Sequence, residues 1–198
     1  RPGPMSRLWL VRHARPLVAP GLCYGRLDMA ADASASRSAA TALAHALPAK
    51  VAGVWHSPLQ RCELLALELR ALRPDLASNP EPRIAETDFG AWEGQAWSAI
   101  ARAEIDAWAA NLAGHAPGGG ESLAAMLQRV ALALRDAAAR AHDQGADMVW
   151  ISHAGVARCV QWLQQHGPGR APQAHEWPLQ APDFGAWVSV ALPTQGWA

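Results

Sequence analysis

Several things are scarce in this chain. Of its 198 residues, one is Lys, one Tyr, two Phe, three Cys and four Met. Only 17% are charged, and the formal charges cancel to zero. A generic nucleic-acid binder carries a basic excess, so that class is excluded. A disordered chain pairs low hydrophobicity with high net charge, and here 51% of residues are hydrophobic. The cysteines, Cys23, Cys62 and Cys159, are odd in number and lack CxxC spacing, so neither a disulfide framework nor a zinc site is signalled. They read as small buried thiols in a reducing cytosol. No apolar run reaches the roughly 18 residues of a membrane span. Residues 1–4 offer no signal-peptide core. Met5 reads as the native start, with those four expected to be extraneous or disordered. The expectation is a cytoplasmic protein in one domain over residues 1–198.

What is abundant is equally pointed. There are 44 Ala and ten Trp, and all basic residues but Lys50 are Arg. A GC-rich coding sequence accounts for part of the Arg bias. The rest bears on chemistry, because Arg is the planar, bidentate binder of phosphate and carboxylate.

The apolar pattern alternates between two kinds of segment. Leu8–Val11, Val51–Trp55 and Met148–Ile151 are short apolar runs that read as buried strands. A last strand is expected near Ala186–Leu192, and a short extended piece over Arg83–Glu86 after Pro80 and Pro82. Helical patterns run over Asp32–Leu47, from Ser57 to about Leu72 with Pro58 in its first turn, and over Ala96–Leu112, Ser122–His142 and Val156–Gln165. Pro16–Asp28 and Gly167–Asp183 read as loops. Strands alternating with helices predict an α/β protein, a three-layer α/β/α sandwich around a central, mostly parallel sheet.

Three strands end in polar residues: Arg12-His13, His56-Ser57 and Ser152-His153. In open α/β sheets ligands bind beyond the carboxyl ends of strands, so these residues can meet. Arg61 falls in the first turn of the helix after the second strand, where anions are favoured. Arg12, His13, Arg61 and His153 together suit a phosphate dianion. Each lone His at a strand end is more often structural; the joint pattern carries the reading.

These residues sit in five segments that resemble the motifs of the histidine phosphatase superfamily, which includes phosphoglycerate mutases. The segments are Leu10-Val11-Arg12-His13, Ser57 to Cys62, Glu86 to Gly94, Pro117 to Ser122 and Ser152 to Arg158, in the family's order. The resemblance implies a phosphoglycerate mutase-like fold and a metal-independent phosphomonoesterase, with no cofactor. It implies that His13 attacks phosphorus, that Arg12 and Arg61 hold the equatorial oxygens and that His153 adds a donor. Glu86 would protonate the leaving oxygen and later help activate water. The same Arg residues would keep Glu86 ionised until a bound phosphate dianion offsets them. No clustered carboxylates stand ready to hold a metal.

The sequence departs from the family pattern after His13. Ala14-Arg15-Pro16 stands where Gly and then Glu or Gln are usual, and the Asn that commonly follows is not evident. Arg15 reads equally as a further anion contact or as a solvated side chain. Cys23 to Asp28 resembles the α-ribazole phosphatase subgroup, which acts in cobalamin nucleotide-loop synthesis. Arg26 would bind phosphate from that loop, or pair with Asp28. Between Gly94 and Pro117 the only basic residue is Arg102, whereas Trp97 and Trp108 are present and Trp92 lies just upstream. That favours a substrate with an apolar or aromatic body over phosphoglycerate. The competing reading makes Trp97 and Trp108 core residues of an amphipathic helix. Trp177 and Trp187 are ambiguous in the same way, and His175, in a Pro-rich loop, reads as bordering the site or as a solvated side chain.

The expected partner is therefore a small-molecule phosphomonoester, with no nucleic acid and no membrane, and a homodimer is open. The specific substrate expected is α-ribazole 5′-phosphate. The alternatives are a broad-specificity or sugar phosphatase, a phosphoglycerate mutase-like enzyme, or a non-catalytic phosphate-binding or interaction module.

Overall fold

A computed structural model describes residues 5–192; the expectation for residues 1–4 lies outside them. Five strands form one sheet: β1 Arg7–Arg12, β2 Val51–His56, β3 Ser78–Pro80, β4 Asp147–Ser152 and β5 Trp187–Ala191. Their spatial order is β3-β2-β4-β1-β5. The first four run parallel, and β5 closes one edge antiparallel to β1. Helices α1 Ala33–Ala46, α2 Gln60–Leu72, α3 Arg102–Ala110, α4 Leu123–Gln144 and α5 Ala154–His166 complete the α/β architecture.

Alternation along the strands builds the layers. Leu8, Leu10, Met148 and Trp150 face α4 and α5. Val11, Val149, Ile151 and Val54 face the other way, onto α1 and α2. β4 lies between β2 and β1 and its residues 148–152 are all buried, as a central parallel strand requires. Asp32 caps α1 by accepting from Ala35 N, and Ser122 caps α4 by accepting from Ala125 N. No helix among the described residues is long and apolar enough to cross a membrane.

Three expectations are corrected. Helix α2 begins at Gln60, not Ser57, because the Ser57 side chain is drawn elsewhere and Asp28 Oδ1 accepts from Gln60 N instead. The short edge strand is Ser78–Pro80, and Pro82–Ile84 forms a 3-10 turn where an extended piece was expected. Pro82 supplies the fixed φ and needs no donor at the start of that turn, with Glu81 capping it. The pattern over Ala96–Leu112 splits into a 3-10 turn at Trp97–Ala99 and the shorter helix α3. Trp97 therefore lies outside the helix that was to bury it.

A smaller cluster of Cys23, Trp92 and Ile100, joined by Phe89, Ile105 and Trp108, sits outside the two main cores. Its backbone approaches closely. A Cβ at Gly118 or Gly120 would run into the main chain at Phe89 or Asp88. The loop Pro117–Gly120 can lie against Asp88–Gly90 only because those positions lack a side chain.

Candidate active site

The parallel ladder places the reacting groups. Arg12 is in register with Ser152, and the pairing continues one residue further where His13 N donates to Ser152 O at 3.2 Å. On the other flank of β4, Ser57 N donates to Ile151 O at 2.9 Å. His13, Ser57 and His153 thus sit at the carboxyl ends of three adjacent strands. The His13 and His153 rings meet edge to face with centroids 5.2 Å apart.

His13 is 2% exposed. Its Nδ1 lies 2.7 Å from the Ala14 carbonyl, which can only accept, so Nδ1 carries the proton. The neutral ring then keeps its lone pair on Nε2. Burial, opposed by the Ala14 hydrogen bond and aided by the nearby Arg61 and Arg12 charges, lowers the pKa to about 3. His13 is therefore neutral across the physiological range. Ala14, standing where the family usually has Gly, is buried, and no described non-glycine residue has positive φ. The replacement asks nothing unusual of the backbone.

His153 is buried, and its Nε2 lies 2.7 Å from Ser57 Oγ. Leu59 N donates to the same Oγ at 3.3 Å, and a Ser57 hydroxyl that gives its proton to Nε2 selects one ring tautomer. Nδ1 of His153 is then the protonated nitrogen, and it has no partner among the described residues. Burial, followed by the His13, Arg61, Arg129 and Arg12 charges, holds the ring well below its ordinary pKa. It is a neutral donor.

Arg61, fully buried, gives Nη1 to Leu27 O at 2.8 Å and Nη2 to Gly25 O at 2.6 Å. It ties the Pro16–Asp28 loop to the start of α2, and its Nε is unpaired. Arg12 gives Nη1 to Pro182 O at 3.1 Å, stands 4.0 Å from the Phe184 ring centre and also keeps Nε free. Burial lowers its pKa.

Glu86 hangs from α4 and β4 by its surroundings. Ser152 Oγ donates to Ile84 O at 2.7 Å, Arg129 donates to Arg83 O and Glu86 O, and Glu121 grips Arg129 at 2.7 Å and 2.9 Å. The carboxylate accepts from Thr87 N at 3.0 Å and from Gly155 N, at the start of α5, at 3.2 Å.

A cavity of about 480 Å³ brings these groups together. Arg12, His13, Arg61 and Glu86 line one part of it. Phe89, Trp97, Trp108, Leu112 and Trp177 line the rest. The Trp97 and Trp108 rings are parallel within 6°, with centroids 6.4 Å apart. Both Trp thus face the cavity, against the reading that made them purely core; Trp97 is 38% exposed. His153 is not among the lining residues, and its ring packs edge to face on His13.

Two candidates are not brought to the cavity. Arg15 is exposed and pairs with Asp32 at 3.4 Å. Arg26 does not pair with Asp28: its Nε donates to Glu86 O at 3.0 Å, and Nη2 lies 3.9 Å from Glu121. It braces the Glu86 segment from outside. His175 is exposed, and Trp187 packs against Trp9.

Residues whose place at the site sequence reasoning passed over include Ser57, Tyr24, Phe89 and Arg158. Ser57 and Arg158 lie within motif segments, so position in a motif was the available signal. Glu93, also in a motif, organises loops: it accepts from the backbone N–H of Gly25, Arg26, Leu27 and Phe89. All three cysteines are free and buried, and burial pushes the Cys23 and Cys62 thiols up to about 12. Among the described residues no group of three or more His, Cys, Asp or Glu is placed to hold a metal ion.

The family model described as histidine phosphatase superfamily (branch 1) matches residues 8–181. A mycobacterial glucosyl-3-phosphoglycerate phosphatase has a similar fold, with TM-score 0.78 and 23% identity over 94% of this chain and 90% of that one. Its complex with inorganic phosphate gives 0.76 and 23% over 93% and 88%. A protein from Thermus thermophilus, TTHB049, is 28% identical over 97% of each chain, with TM-score 0.67. No curated protein matches the sequence.

Proposed function

The chain belongs to the histidine phosphatase superfamily, branch 1, and is on that ground a phosphoric monoester hydrolase; we propose that it works through a phosphohistidine at His13. The observation that carries this is the His13 ring. Its Nδ1–H is given to Ala14 O, and its neutral Nε2 makes no hydrogen bond among the described residues. Beside it lies a cavity that also holds Arg12, Arg61 and Glu86.

In the first half-reaction Nε2 attacks phosphorus in line and the P–O bond to the leaving group breaks. Glu86 gives a proton to the leaving oxygen, which leaves its carboxylate ionised. In the second, water attacks the phosphohistidine, its proton returns to the Glu86 carboxylate, and phosphate leaves with His13 restored. Arg12, Arg61 and His153 hold the phosphoryl oxygens throughout. Such fixed donors supply the larger catalytic effect, since phosphoryl transfer asks little covalent work of a protein.

For the substrate, we take α-ribazole 5′-phosphate. What supports it is the aromatic wall of Phe89, Trp97 and Trp108, suited to a flat benzimidazole, and the loop from Cys23 to Asp28. A second reading, a phosphorylated sugar acid, is favoured by a further guanidinium in the cavity, that of Arg158.

The test is turnover of α-ribazole phosphate against 3-phosphoglycerate, sugar phosphates and p-nitrophenyl phosphate, with chelator present and His13→Ala as control. Rapid quench with labelled substrate should trap an acid-labile, base-stable phosphoenzyme in the wild type and none in the variant. Turnover that survives His13→Ala overturns the mechanism. Similar efficiency on every ester overturns the substrate.

A further inference from the structure

Most guanidiniums around the Glu86 loop are matched. Arg129 is held by both oxygens of Glu121, Arg83 reaches Glu81 and Asp136, and Arg26 reaches the Glu86 carbonyl. Arg12 and Arg61 are the phosphate-facing pair assigned above. Arg158 is the exception. It lines the cavity, yet its one hydrogen bond among the described residues is a long one, 3.5 Å from Nη2 to Leu179 O. Its Nε is buried with no partner. No carboxylate among the described residues pairs with it. A guanidinium left this way costs folding free energy, and a ligand that satisfies it recovers that cost as affinity.

The direction of the side chain follows from the helix. Arg158 stands three and four residues after Gly155 and Ala154 on α5, so the three share one face, and all three line the cavity. Gly155 N is already taken by Glu86, which marks the reacting part of the cavity. Arg158 reaches instead toward Leu179, which lines the cavity together with Trp177 and Pro178.

We propose that Arg158 anchors the leaving group: its guanidinium binds an oxygen acceptor, carboxylate or hydroxyl, carried by the alcohol part of the ester and separate from the transferred phosphoryl group. The aromatic wall then holds the apolar body of the substrate, and Arg158 selects, among bodies that fit, those bearing such an oxygen. This rests on the phosphatase reading for what the ligand is. It does not rest on turnover.

The experiment therefore uses binding. Phenylphosphonate, its 3- and 4-carboxy derivatives and its 3- and 4-hydroxymethyl derivatives are titrated calorimetrically into wild type, Arg158→Met and Arg158→Lys. Inorganic phosphate serves as the common reference. The wild type should bind at least one oxygen-bearing probe tenfold or more tighter than phenylphosphonate. Arg158→Met should erase that preference, and Arg158→Lys should keep part of it. A carboxylate preference points to an acidic leaving group, and a hydroxymethyl preference to a sugar-like one. If Arg158→Met weakens all probes and inorganic phosphate alike, Arg158 serves the phosphoryl group and the proposal is overturned. Absence of any oxygen preference in the wild type overturns it too. Should Arg158→Met not fold, the Lys variant decides: an undiminished preference sinks the idea. Hydrolysis of the matching phosphate esters is scored separately. A preference that depends on Arg158, without hydrolysis, would overturn the enzyme reading and leave the anchor standing.

Discussion

Ser57 Oγ lies 2.7 Å from His153 Nε2, although 96 residues separate them in the chain. The two strand ends that carry them flank the same ladder, and the contact sets which ring nitrogen of His153 holds the proton. Ser57→Ala removes the group that fixes this tautomer. Nitrogen chemical shifts of His153 should move from the Nδ1–H form toward a tautomeric mixture. Inhibition by inorganic phosphate should weaken about tenfold, the effect of losing a net hydrogen bond of about 1.4 kcal/mol. Unchanged shifts together with an unchanged inhibition constant would show that Ser57 is packing only.

Gly155 matters for a different reason. Its N–H is held by Glu86, and a Cβ at this position would overlap the Glu86 carboxylate. The obstacle is the far end of a side chain, so Gly155→Ala should fold, with Glu86 pushed aside. We expect kcat to fall by tenfold to a hundredfold while inorganic phosphate binds nearly as before. The expected loss is greater for alkyl esters than for p-nitrophenyl phosphate, whose leaving group needs no proton. Equal losses on both would count against Glu86 as the acid.

The aromatic wall can be tested by subtraction. Trp108→Ala should raise KM for an aromatic phosphomonoester about tenfold, corresponding to roughly 1.4 kcal/mol of stacking and burial. It should affect glycerol phosphate far less. Since Trp108 also packs on Trp92 and Phe89, thermal stability is measured alongside. An equal rise for both substrates would place the ring outside the binding surface.

Burial of His13 links the site to stability. Its pKa is about 3 in the folded chain, against an ordinary value of 6.5. Below pH 6.5 the unfolded chain binds a proton that the folded chain refuses, so stability falls as pH drops from about 6.5 toward 3 and is fully present above 6.5. The limiting slope for one such group is about 1.4 kcal/mol per pH unit. His153 is shifted in the same direction and adds to the slope. Urea unfolding at several pH values should show this decline, and His13→Gln should flatten it. A slope unaffected by the variant would mean that His13 is not buried neutral.

Much of this was readable before any coordinates. The runs Leu8–Val11, Val51–Trp55 and Met148–Ile151 are too short and too apolar for anything but buried strands, and each ends in polar residues that a parallel sheet must deliver to one rim. The helical patterns expected from Asp32 and from Ser122 start where those residues cap α1 and α4 in the structure. Local chemistry decides such features, so local sequence carries them. Arg12, His13, Arg61 and His153 could accordingly be expected together from their strand ends, whereas Glu86 was expected there through the family resemblance.

Other features depend on what stands opposite, and a single chain read in order does not hold that information. Ser57 suits a helix cap, but His153 claims its hydroxyl and α2 starts three residues later. Ser78–Pro80 is a strand because β2 offers it an edge, not because its residues prefer one. Arg15, Arg26 and Arg158 are alike as residues. Asp32 occupies the first, the Glu86 carbonyl and Glu121 hold the second, and the third is left with a cavity. The sequence by itself determined the elements, the rim on which the site forms and the residues able to act on a phosphate. Only the tertiary structure decided which guanidinium is spent on a neighbour and which is free for a ligand, because that depends on partners distant in sequence.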